Sequence, residues 1–154
     1  MGTFGLSGGF TFKSGPVSFN LRNNIVYQLP GEFYNNSGTG VSGTTVTGSN
    51  NLWFGSSQAA PSFTTANISS NPLFNSLALF DFSLTSSSPA VDAGTAVTSA
   101  NSYKSYQVWN GNPLDGRGIA RPQGSAYDVG AYEFFAGTIV QKPNPPTNLT
   151  VTVQ

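Results

Sequence analysis

Asn23-Asn24-Ile25-Val26-Tyr27 returns further along the chain as Asn50-Asn51-Leu52-Trp53-Phe54. Each copy is a pair of asparagines followed by three residues that suit a strand. A weaker third copy is Asn71-Pro72-Leu73-Phe74, whose Leu73 takes the place that Leu52 holds in the second. Between the copies lie Gly, Ser, Asn and Thr, with no 3.6-residue apolar period, so the spacing predicts short strands joined by turns. Repeats of this spacing are the mark of stacked coils, in which each unit buries its apolar side against the next.

The expected architecture is all-β: a parallel β-helix, or solenoid, segment with a C-terminal cap. Coils stacked about 4.8 Å apart place like side chains over like. Val17, Phe19 and Leu21, alternating before the first asparagine pair, then fill inward positions. A corner asparagine adopts left-handed backbone angles readily and bonds a neighbouring amide. Asn24 over Asn51 is therefore the expected rung of an asparagine ladder.

Composition agrees with this reading. Ser, Thr, Asn and Gly make up 68 of the 154 residues, and 20 aromatics spread through the chain supply a core. There is no histidine and no cysteine, which excludes histidine triads, thiolate zinc sites and disulfides. Six acidic and six basic residues cancel and only 8% of the chain is charged, so no basic field exists to hold nucleic acid. No apolar run reaches the eighteen or so residues of a membrane span, and no membrane insertion is expected. The first residues lack the basic start and apolar centre of a secretory signal and read as the beginning of a truncated product. The Asn-x-Ser/Thr triplets at Asn35, Asn67 and Asn148 are expected by chance in such a composition.

Charge divides the chain. From Phe33 through Phe80 there is no Asp, Glu, Lys or Arg, whereas nine of the twelve charges fall at Asp81 or later. Residues 1–80 are expected to form the coils, 81–135 the last coil and cap, and 136–154 a linker and a further strand. The linker is Lys142-Pro143-Asn144-Pro145-Pro146, stiff and extended. The alternating Thr147–Gln154 that follows resembles the first strand of a fibronectin type III sandwich.

Within 81–135 stand Ser88-Pro89-Ala90-Val91-Asp92-Ala93-Gly94, Asp115-Gly116-Arg117-Gly118-Ile119-Ala120-Arg121-Pro122 and Asp128-Val129-Gly130-Ala131-Tyr132-Glu133. In this order, after Asn71-Pro72-Leu73-Phe74, these motifs resemble the C-terminal portion of bacterial extracellular right-handed parallel β-helix proteins of the choice-of-anchor Q type, which implies a right-handed solenoid here. The resemblance covers residues 71–135. It implies a secreted or cell-surface protein, often multidomain, and no particular reaction.

The residues themselves predict a structural network. Asp92, Asp115, Asp128 and Glu133 accept from turn amides, and Arg117 and Arg121 bridge them through planar forks. The arginines are expected to hold these carboxylates ionised. A rival reading makes the same four acids calcium ligands, but no compact Asp-x-Asp-x-Asp loop supports it. Paired-carboxylate glycosidase chemistry is disfavoured by the arginines, and a lone Glu32 offers no second acid nearby.

For binding, the candidates are Tyr27 and Trp53 at related repeat positions, with Glu32 and Tyr34 in the segment 31–40. Aromatics on a solenoid face make a platform for sugar rings, although packing is the preferred reading of such a pattern. The function expected is structural or adhesive, presenting a rigid surface to a polysaccharide or other surface polymer. The alternatives are a homo-oligomeric filament built through open coil ends and the remnant of a polysaccharide lyase or hydrolase.

Overall fold

A computed structural model describes residues 10–11, 18–28, 34–35, 45–97, 108–109 and 112–137. They are all-β: ten short strands and one 3-10 turn, with no α-helix among the described residues. No helix there is long and apolar enough to cross a membrane.

Three strand pairs are parallel. β1 (Phe10–Thr11) lies beside β4 (Tyr34–Asn35), β2 (Ser18–Arg22) beside β5 (Thr45–Ser49), and β3 (Ile25–Tyr27) beside β6 (Leu52–Phe54). The last two pairs share one offset in register, Phe19 opposite Val46 and Ile25 opposite Leu52. A third level joins through single parallel bridges, Ser49 to Thr65 and Leu52 to Ile68. At Gly48 the rungs come too close for a side chain: a Cβ there would stand 1.9 Å from the Leu21 carbonyl oxygen.

That third level corrects the repeat. It is Ala66-Asn67-Ile68, a shorter step beyond Asn50-Asn51-Leu52 than the first step between asparagine pairs, and Asn71-Pro72-Leu73-Phe74 is not a rung. Ala66 carries the same left-handed backbone as Asn23 and Asn50, with φ of 48°, 56° and 56°. Ile68 donates its N–H to Asn51 C=O, and Trp53 returns one to Ile68 C=O. Asn71 instead closes a local turn onto the Leu73 amide. Phe74 enters an antiparallel hairpin of β7 (Phe74–Ser76) and β8 (Asp81–Leu84). Pro72, which has no N–H to give a ladder, is buried at the turn.

The strand triplets Ile-Val-Tyr and Leu-Trp-Phe are apolar without alternation because both of their faces are covered. Val26 and Trp53 turn one way, packing with Leu21 and Ala60. Ile25, Leu52 and Ile68 turn the other way, against Leu84, Ala90 and Val129. Leu52 and Trp53 are essentially excluded from solvent, each contributing on the order of 2–3 kcal/mol of burial. Of the expected inward residues, Leu21 joins this packing, Phe19 is 41% exposed, and Val17 lies outside the described residues.

This second face places the charged segment differently from expectation. A lid would meet the final level alone. Here Leu84, Ala90 and Val129 join Leu52 in one buried cluster, against which Ile25 and Ile68 also pack, so the segment lies alongside the levels as a lateral brace. The remaining pair, β9 (Val108–Trp109) with β10 (Asn112–Pro113), is antiparallel and leads into the Asp115 turn.

Candidate functional site

Asp115 organises the turn that follows β10. Its buried carboxylate accepts the amides of Arg117 and Ile119 on Oδ1, both at 2.8 Å, and the amide of Glu133 on Oδ2 at 2.9 Å. Short acidic side chains fold back on following amides in this way. Arg117 adds an ion pair at 3.3 Å, donates to the Glu133 carbonyl, and lays its guanidinium over the Tyr132 ring at 4.9 Å.

Glu133 and Asp128 form the second half of the network. Glu133 accepts Arg121 Nη1 at 3.1 Å and the Asp128 amide at 2.9 Å on Oε1, and the Gln123 amide at 3.2 Å on Oε2. Arg121 spends the rest of its fork on the carbonyls of Asp128 and Gly130. Asp128 accepts the Asp92 amide at 2.7 Å and the Phe134 amide, while Asp92 accepts the amide of Ala126. All six expected residues therefore meet in one contiguous network.

Its electrostatics differ from expectation. Burial pushes the carboxyls of Glu133 and Asp128 above their ordinary values, outweighing the amides and Arg121, which pull the other way. Removing the hydration of a carboxylate is the larger effect when almost none of it reaches water. Even so, these acids are committed to main-chain donors. Among the described residues no three acidic side chains converge as a metal-ligand group.

The brace grips the rungs through residues that sequence reasoning passed over. Gly130 N–H donates to Asn23 C=O at 2.8 Å. The Asn23 side chain exchanges two bonds with the backbone of Thr95, and Asn50 Nδ2 donates to Ala93 C=O. The first asparagine of each pair thus takes the left-handed corner and reaches sideways. The second does the stacking: Asn51 Oδ1 accepts Asn24 N–H at 3.0 Å and Asn24 Nδ2 at 2.8 Å, and Asn51 Nδ2 donates to Leu21 C=O. Doubling itself was the available signal, since one asparagine would have sufficed for a turn. Gly94 is needed for close approach rather than for its own turn, because a Cβ there would lie 2.6 Å from the Tyr127 carbonyl oxygen.

Of the binding candidates, Trp53 is buried and its Nε1–H donates to Asn67 Oδ1 at 3.0 Å. Packing accounts for it. Tyr27 is half-buried, stacked on Phe54 at 6.0 Å and edge-on to Phe74 at 5.4 Å. It lines a cleft of about 750 Å³ between β3, the hairpin and the Asp115 turn, together with Phe74, Phe82, Tyr127 and Tyr132. Of Tyr34 the backbone alone is described, in register with Phe10. Glu32 and residues 138–154 lie outside the described residues.

The sequence matches no known family model and no curated protein.

Proposed function

We propose that the chain is a segment of a right-handed parallel β-helix from a secreted or cell-surface bacterial protein. Its role is structural or adhesive, offering a rigid ruled face to a polysaccharide. The constant register of β2–β5 and β3–β6 and the three levels at Leu52 support the coil reading, and the brace supplies stiffness. The observation that carries the adhesive part is the outer row of β2 and β5. Ser18 and Asn20 stand over Thr45 and Thr47 in register, all four exposed.

Rungs repeat at about 4.8 Å, and hydroxyl and amide groups both give and accept hydrogen bonds. A stiff, flat array of such groups meets a glycan chain with little ordering cost. Co-sedimentation with insoluble polysaccharides tests the proposal. The parent protein should leave the supernatant with at least one polymer, and the double variant Asn20→Glu with Thr47→Glu should stay in it while melting normally. Equal binding by that double variant, or no binding by the parent chain to any polymer, overturns it.

A further inference from the structure

The β7–β8 hairpin ends in an apolar knuckle. Leu79 and Phe80 are each 80% exposed, and Leu77 and Phe82 are 42% and 45% exposed. Phe80 closes the 3-10 turn Leu77–Leu79 in the left-handed region, φ 56°. Asn or Gly takes that conformation cheaply, whereas a bulky side chain costs about 1–2 kcal/mol there. Leucine and phenylalanine projecting into water from a strained tip are a contact awaiting an apolar surface.

The cleft beside the knuckle has matching properties. Phe74, Phe82, Val97 and Leu114 make its walls apolar, and β3 also lines it, with no strand of the described residues paired to its edge away from β6. The bonds from Leu52 to Asn24 and from Gln28 to Phe54 turn the even-numbered peptide groups toward β6. The amides of Ile25 and Tyr27 therefore point away from β6. The charged members of the cleft are Arg22 and Arg121. Arg121 is paired with Glu133, while among the described residues the Arg22 guanidinium makes no ion pair and donates through Nε to Asn20. The knuckle carries the opposite charge: Asp81 follows Phe80 directly, and among the described residues its hydrogen bonds, both from Ser83, fall on Oδ1.

We propose that the occupant is a second copy of this chain, giving a two-fold dimer in which Leu79 and Phe80 of each copy enter the cleft of the other. Asp81 of each copy then meets Arg22 of the other. Phe82 belongs to the knuckle's strand and to the cleft wall, so tip and cavity share one face, and a single two-fold rotation engages both pairs at once. A lipid surface would use the tip and leave the cleft and Arg22 without a role.

Sedimentation of the whole chain across a concentration series tests this. The parent protein should dimerise, and Phe80→Ser should weaken association by about a thousandfold, about thirtyfold for each of the two aromatic anchors it removes. At concentrations where both are monomeric its melting should match the parent's, since the side chain is then exposed. Asp81→Arg and Arg22→Asp should each weaken self-association about tenfold or more through like-charge contact. An equimolar mixture of those two variants should dimerise again, as heterodimers, because both contacts are then of opposite sign. A monomeric parent chain, a mixture that stays monomeric, or vesicle binding by a monomeric parent that Phe80→Ser abolishes would each overturn the proposal.

Discussion

Replacing Asn51 by alanine should be among the most damaging single changes to the stacked rungs. The side chain is fully buried, and its carboxamide makes three hydrogen bonds between levels: two from Asn24 and one to Leu21 C=O. At about 1 kcal/mol net per bond the loss is about 3 kcal/mol, and a stranded main-chain group adds to it. With a urea dependence of about 2 kcal/mol per M, the unfolding midpoint falls by about 1.5 M. Asn24→Ala is the matched control. It removes donors to Asn51 Oδ1 and Arg22 C=O but leaves the Asn24 amide on Asn51, so about 2 kcal/mol is expected. Urea melts of both variants, followed by circular dichroism, give the comparison. Equal costs for the two, or an Asn51→Ala cost below about 1 kcal/mol, would refute the reasoning.

Arg121→Met strips the Glu133 carboxylate and two carbonyls of their donor and should cost about 3–5 kcal/mol by the same assay, because an unpaired buried acid remains. Adding Glu133→Leu should recover part of it. Glu133 and Asp128 have folded-state pKa values raised by burial. Their contribution to stability is complete below the unfolded-state values and is lost as pH rises through the folded ones. Urea midpoints should therefore increase on going from neutral pH into the carboxylate range, with a smaller increase in Glu133→Gln. Asp81 is shifted down, chiefly by its Ser83 bonds. Its own small contribution disappears only as pH falls through its depressed value, on the acid side of that range. Gly48→Val should abolish the β2–β5 pairing, read as a large midpoint loss, because the Leu21 backbone occupies the space.

The strands were legible in the sequence because Ile25-Val26-Tyr27 and Leu52-Trp53-Phe54 repeat after identical asparagine pairs. Their lack of alternation fits the two covered faces found, but does not say which segment supplies the second cover. That depends on where residues 84–95 and 127–134 travel, and tertiary packing fixes it. The third rung escaped notice for a related reason: Ala66 holds a left-handed angle that residue type does not announce, while Asn71-Pro72 resembled a corner and lacks the amide to be one. The acids and arginines of the network were readable from motif chemistry. Their raised carboxyls were not, because the balance between arginine and burial depends on how completely Glu133 is enclosed. The cleft joins residues from 22 to 132, and its aromatics share no local pattern.

The central claim is that the asparagine-led triplets lie parallel, one level upon the next, under the lateral brace. Scalar couplings transmitted across hydrogen bonds in isotope-labelled protein report each donor and acceptor directly. The account predicts couplings from the Leu52 amide to the Asn24 carbonyl, from Gln28 to Phe54, and from Gly130 to Asn23. Reciprocal coupling between a single residue pair across β3 and β6, the signature of antiparallel strands, would contradict it.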